Sequence, residues 1–208
     1  GLDATVNPFR THDAYQPLAD LPLAERAARL RDPSVRAALL DARPKNGHVE
    51  WMNYALTRAY ELGEGLDYEP HPSTSIAGRA TASGVDPWEL LLDLLSAGDG
   101  STLLLYPFEN YTNGSLDDIR EMLTDPYSIC GIGDAGAHVG TICDASFPTT
   151  MLTHWVRDRT RGPLLELSMV VANQTSRTAR AVGLLDRGGL APGLRADVHV
   201  VDLDGLRL

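Results

Sequence analysis

Two short, almost uninterrupted apolar runs, Thr102 to Phe108 and Tyr127 to Ile132, constrain this chain more than any other feature. A strand that is apolar at successive positions has to be covered on both faces, the condition of a strand inside a parallel sheet flanked by helices. The segments around them have helical period. Ala24 to Leu30 and Val35 to Ala42 carry apolar residues at helical spacing among arginines, interrupted at Asp32-Pro33. Trp51 to Leu62 reads as a further amphipathic helix, Gly63 to Ser75 as a loop, and Ser75 to Ser83 as another helix. After Gly84, Asp86 can cap a helix with Pro87 at its first position and Leu90, Leu91, Leu94 and Leu95 as its buried stripe, ending at Gly98-Asp99-Gly100.

Between the two runs, Ser115 caps a predicted helix to Leu123, with Asp117 and Asp118 favouring the dipole of its first turn. Helices are also predicted over Thr149 to Arg157 and Leu164 to Ala181. Leu2 to Val6 reads as a strand end closed by Asn7-Pro8. Buried strands alternating with outer helices predict right-handed βα units and an α/β fold. The tail differs: Leu190-Ala191-Pro192-Gly193 predicts a type II turn that starts at Ala191, with Pro192 at its second position and Gly193 at its third, before an extended run from Ala196 to Leu203.

A formal net charge of −10 over 208 residues, with no clustered Lys/Arg run, argues against a nucleic-acid or anionic-membrane partner. Two cysteines, Cys130 and Cys143, make no disulfide framework, and the setting is read as cytoplasmic. No apolar stretch approaches the roughly 18 residues a membrane span needs. The chain opens Gly-Leu-Asp-Ala-Thr-Val without an initiator methionine, and the expectation is a piece of a longer chain.

Chemistry concentrates in Gly131-Ile132-Gly133-Asp134-Ala135-Gly136-Ala137-His138. Asp134 directly follows an apolar run, and in a (β/α) barrel the C-terminal strand ends carry the catalytic groups. A carboxylate there can bind a divalent metal or pass a proton from water to a leaving amine. It can equally cap a turn. His138, in the same loop, can contact substrate or simply bond backbone. Gly131, Gly133 and Gly136 also match G-x-G-x-x-G, but a dinucleotide site needs a helix to begin at the glycines, and Val139, Gly140, Thr141, Ile142 and Pro148 are poor material for one. His12, His48, His71, His138, His154 and His199 are scattered, with no H-x-H or H-E-x-x-H pair, so the chain shows no metal site of its own apart from a ligand role for Asp134. His154, four residues before Asp158, reads as a helical side-chain pair.

Gly131 to Gly140, with Thr141 to Pro148 and Leu152 to Arg159, resembles the last barrel segment of the N-acyl-D-amino-acid deacylase branch of the amidohydrolases. Gly183 to Asp197 resembles that family's closing motif. Leu21-Pro22-Leu23-Ala24-Glu25-Arg26 and Gly84-Val85-Asp86-Pro87 extend the similarity over nearly the whole chain. The resemblance implies the later part of a (β/α)8 TIM barrel over residues 1–185 and C-terminal strands of a small β-sandwich over 186–208. It also implies one or two zinc ions in the parent enzyme, held by ligands upstream of this chain. By that resemblance Asp134 would deprotonate zinc-bound water and then protonate the departing amine. The isolated chain would bind no zinc tightly and be inactive.

That implied activity is hydrolysis of a non-peptide C–N amide bond in a small molecule, N-acyl-D-amino-acid deacylation first. The better-defined deacylases commonly place an arginine in the loop after this aspartate, whereas none occurs here between Asp134 and Arg157, so cyclic amides of the dihydropyrimidinase or hydantoinase kind stay open. The competing class is a noncatalytic fragment or assembly module. A partial barrel exposes strand edges, and a homo-oligomer formed through them is a further expectation.

Overall fold

The structure, a computed structural model, describes residues 2–41, 54–63, 67–131 and 144–207. Its backbone clusters into two compact units, Gly1–Gly114 and Ser115–Leu208. This division is of another kind from the barrel and sandwich boundary expected at 185/186, which concerns strand pairing in a full chain.

In the first unit, α1 (Leu23–Leu30) and α2 (Pro33–Asp41) flank the predicted break. Asp32 makes that break a start: its Oδ1 accepts from the backbone N–H groups of Ser34 (2.8 Å) and Val35 (3.3 Å). Residues 54–56 are helical, but the chain then turns into β1 (Tyr60–Glu61), so the helix expected to Leu62 stops short. α3 (Ile76–Ser83) is capped by Ser75 and closed by Gly84 in the left-handed region, φ 69°. That conformation costs glycine little and other residues more. α4 (Pro87–Ser96) begins as the sequence predicts, Asp86 accepting from the N–H groups of Trp88 and Glu89 and Pro87 in the first turn.

The leucine stripe of α4 organises the core. Leu91, Leu92 and Leu95 are fully buried with Leu30 of α1, Leu39 of α2 and Ile76 of α3, and Trp88 meets Phe9 edge-on at 5.5 Å. Each such side chain contributes about 1.5–3 kcal/mol by leaving water.

β2 (Leu104–Leu105) lies within the first apolar run and pairs antiparallel with β1, Tyr60 opposite Leu105; Leu104 also bridges Leu2. Leu104 is 0% exposed but Leu103 is 48%, so this strand is covered on alternate residues and not on both faces. The apolar run therefore overstated its burial. Among the described residues the ladder is antiparallel, and no parallel pair occurs.

His12 sits in this unit just past a 3₁₀ turn at Pro8–Thr11, nearly buried and edge-on to Phe9 at 5.7 Å, with no hydrogen-bond partner for Nδ1. Burial outweighs the nearby Asp13 charge and pushes its imidazole below the ordinary value. The neutral ring is thus the form the fold prefers. Stability is fully present above the unfolded value, about 6.5, and is lost as pH falls through the lower folded value. The melting temperature of the wild type is expected to drop between pH 7.5 and 5 more than that of His12→Gln; parallel curves would remove His12 from the acid response.

Among the described residues the second unit has four short α-helices. α5 (Asp117–Thr124) starts two residues after Ser115, whose Oγ accepts from the Asp117 N–H at 3.1 Å. α6 (Phe147–Thr153) takes Pro148 into its first turn, where a missing N–H is harmless, and passes into a π-helical turn at His154–Asp158, with Arg159 N–H reaching His154 O at 2.8 Å. The helix predicted over 164–181 is two: α7 (Leu167–Gln174) and α8 (Ser176–Ala181). Thr175, at φ −129° and ψ −90°, breaks them, and its hydroxyl bonds back to Val171 O at 2.6 Å.

The type II turn closes between Ala191 O and Leu194 N (3.1 Å), with Gly193 at φ 88°. The extended run after it joins no ladder among the described residues, and Val200 is 98% exposed. Also among the described residues, no helix is long and apolar enough to cross a membrane.

Candidate functional site

Asp134 and His138, the catalytic and substrate-binding candidates, lie outside the described residues, as do Cys143 and His48. What the structure shows is how the segment that carries them is attached. On the upstream side Cys130 is buried in an apolar cluster with Met151, Trp155, Leu165 and Val170. On the downstream side Phe147 packs against that same cluster. Cys130 and Phe147, which lie on either side of 132–143 in sequence, thus pack in one core within one unit.

The upstream approach is not the doubly buried strand that its sequence predicts. Tyr127 is 96% exposed, and Asp125 forms a turn by accepting from Tyr127 N–H at 2.7 Å. The carbonyls that a ladder would use are taken by an arginine. Arg177, on α8, donates from Nη2 to the carbonyl oxygens of Asp125 (3.3 Å), Pro126 (3.1 Å) and Ser128 (3.1 Å). Its Nη1 donates to Asn173 Oδ1 at 2.6 Å, and Asn173, fully buried on α7, donates in turn to Leu123 O at the end of α5 (3.3 Å). The Cys130 thiol beyond this turn is pushed up by burial, against a smaller opposite pull from Arg177.

The downstream approach rests on a second arginine. Arg159 has a wholly buried side chain, bonded to Asp117 at 2.7 Å and to Pro163 O at 3.2 Å, with its guanidinium 5.0 Å from the Trp155 ring centroid. This joins α5 to the end of the π-helical turn. Hydrogen bonds from Arg159, then from Ser115, hold the Asp117 carboxyl below its usual range. Asp158 is likewise lowered, chiefly by its hydrogen bonds to Arg157, with a small contribution from His154. The expected His154 and Asp158 pairing is thus the minor partner of an arginine pair. The His154 ring stands edge-on to Trp155 at 5.3 Å.

The other described histidines have separate duties. His71 caps a 3₁₀ turn by accepting from Ser73 N–H, and His199 lies exposed in the tail. Among the described residues no three His, Cys, Asp or Glu side chains gather as a metal-ligand set. In the first unit, a groove lined by Arg31, Arg36, Asp93 and Ser96 has its cations engaged: Arg31 donates to Ser96 O and Gly98 O, and Arg36 meets Asp93 at 2.8 Å.

Sequence reasoning missed Arg177, Asn173 and Arg159. The four-residue spacing of Asn173 and Arg177 on a helical pattern was a usable signal for the first two.

Residues 5–208 match the amidohydrolase family. The chain belongs to that family. Over 110 residues it is 34% identical to the imidazolonepropionase of Paracoccus denitrificans (strain Pd 1222), a match covering 51% of this chain and 26% of that protein. The chain thus spans about a quarter of that relative's length. No solved structure matches it.

Proposed function

We propose that this chain is part of a metal-dependent amidohydrolase that cleaves a non-peptide C–N amide bond, with Asp134 as its proton-transferring carboxylate. The family match across residues 5–208, which includes Asp134, carries this reading. In the full chain the segment supplies the later part of a (β/α)8 barrel, and residues 186–208 join a small sandwich. Zinc held by residues outside this segment would supply Lewis acidity. Asp134 accepts the proton of the attacking water and returns it to the departing nitrogen. His138, four residues on, contacts the substrate.

Two substrate classes follow. N-acyl-D-amino-acid deacylation rests on the motif from Gly131 to Gly140. Opening of a cyclic amide is favoured by two observations: the relative is named for an imidazolone, and no arginine lies between Asp134 and Arg157 to take a substrate carboxylate. The full-length protein, purified with zinc, is assayed on N-acetyl-D- and L-amino acids and on imidazolone and hydantoin rings. Turnover of D- over L-acyl amino acids supports the first class, and turnover of the rings alone supports the second. Hydrolysis of none of them overturns the amidohydrolase reading in favour of a noncatalytic module.

A further inference from the structure

We propose that Asn113 is a site of spontaneous covalent modification, closing on the Gly114 nitrogen to a succinimide that water opens to aspartate or isoaspartate. Asparagine is among the thermolabile side chains, and this one stands on an exposed turn of the first unit. A 3₁₀ turn at Phe108–Tyr111 leads into it, and the Gly114 N–H returns to Tyr111 O at 3.1 Å. In the reaction the Gly114 amide gives up its proton and its nitrogen attacks the Asn113 Cγ. A C–N bond forms there, the Cγ–Nδ2 bond breaks, and the side-chain nitrogen takes up the proton and leaves as ammonia. Water then adds at either ring carbonyl. Opening at Cγ restores the main chain with an aspartate. Opening at the α-carbonyl leaves the chain running through the side chain, one methylene longer, with a free α-carboxylate. Water is the only co-reactant.

Two features single out this asparagine. The attacking nitrogen belongs to a glycine, so no Cβ stands beside it. The fold also demands that glycine: φ is 63°, in the left-handed region, and a Cβ added there would come within 2.5 Å of Pro72 Cγ. A larger residue, which would slow the attack, does not fit. The other described asparagines are placed differently. Asn7 precedes Pro8, whose nitrogen has no proton to give up, and Asn110 precedes the buried Tyr111. Asn173 is buried, with its amide bonded to Arg177 and to Leu123 O. The position gives the product a consequence. The Tyr111 hydroxyl donates to Pro70 O at 2.7 Å, its ring stands edge-on to Tyr60 of β1 at 6.0 Å, and Gly114 lies against Pro72. Tyr111 and Gly114 thus seat this turn on the segment 70–74. An extra methylene between them moves Gly114 off Pro72 and breaks its bond to Tyr111 O, and both products carry a negative charge where the amide was neutral.

The test incubates the folded protein at neutral and at mildly alkaline pH, beside a peptide spanning Asn110 to Asp118. Both are mapped by mass spectrometry with fragmentation that tells isoaspartate from aspartate. Mapping also separates this site from Asn46-Gly47, the chain's other Asn-Gly pair, which lies outside the described residues. A gain of one mass unit at residue 113 is expected in the folded protein, with ammonia released and a rate that rises with pH, because the Gly114 amide must lose its proton. Asn113→Gln has to close a larger ring and is expected to stop the conversion at 113 while leaving the circular dichroism of the protein unchanged. In the isoaspartyl form, isolated by charge, hydrogen exchange at the Gly114 amide is expected to be faster than in the parent. Asparagine intact at 113 in the folded protein when the peptide has fully converted overturns the proposal, since the bond to Tyr111 O then protects the site. Conversion that occurs only once urea has unfolded the chain overturns it as well. Unchanged exchange at Gly114 in the isoaspartyl form removes the consequence assigned to the extra methylene.

Discussion

Replacing Asp134 by Asn in the full-length enzyme is expected to lower kcat by at least about 100-fold while leaving KM within about threefold. The substitution is chosen because the two readings of this residue part at it. Asn has nearly the shape of Asp and accepts hydrogen bonds from loop amides about as well, so a residue that only caps a turn survives the change. It has no basic oxygen to take up a proton. A carboxylate that moves a proton between water and a leaving nitrogen therefore loses its function with its geometry intact, and the loss appears in the transition state only. Initial rates on whichever amide is turned over, with the melting temperature beside them, check this. Near-normal kcat in Asp134→Asn would return the residue to the status of a turn cap and leave the family's chemistry to other groups.

The helices were legible where the sequence carries its own stop and start signals. Asp86-Pro87, Ser75 and Gly84 set helix ends through bonds to neighbouring amides, so a local reading suffices. Strands were less legible, because a strand is defined by its partner. Leu103 to Leu105 has the composition of a doubly covered strand, yet Leu103 faces out, and which face is covered depends on Leu2 and Tyr60 far along the chain. Tyr127 to Gly131 shows the same limit more sharply. Its apolar side chains suggested a ladder, and what decides its shape is a guanidinium from α8, some fifty residues later in sequence. The candidate carboxylate, Asp134, is named from motif and position and lies outside the described residues, whereas the bonds of Arg177 and Arg159 to main-chain carbonyls were not read from the sequence, although the spacing of Asn173 and Arg177 offered a signal. Thr175 is a middle case: its β-branched side chain lowers helix propensity, but only the bond to Val171 shows that the chain breaks there.

The largest stability effect is expected at Arg26. Its guanidinium, buried beneath the N-terminal segment, donates from Nε to Leu18 O (3.0 Å), from Nη1 to Ala4 O (3.1 Å) and Thr5 Oγ1 (2.7 Å), and from Nη2 to Ala19 O (2.7 Å) and Leu21 O (2.9 Å). Ala4 O also accepts from the Tyr15 hydroxyl, which itself accepts from Asn7 Nδ2 at 2.9 Å, so one arginine gathers segments that form no regular element. Burial holds the Tyr15 phenol above its usual range, so this hydroxyl stays a donor at neutral pH. Arg26→Met fills much of the same space but removes all of these bonds and takes this donor from the carbonyls of Ala19 and Leu21, while Ala4 O keeps the Tyr15 hydroxyl and Leu18 O the Leu21 N–H, and at about 1 kcal/mol per bond stability is expected to fall by about 3–5 kcal/mol. Arg26→Lys can reach one or two of the acceptors at most and should recover only a minor part. Urea denaturation at unchanged m-value measures both. The contrast is Arg187, whose bonds run to its exposed neighbour Asp186 and whose replacement by Ala should leave the midpoint where it is. Should Arg26→Met fall within about 1 kcal/mol of wild type, water would be doing the work assigned here to the guanidinium, and the N-terminal segment would owe its course to Phe9 and the α4 core instead.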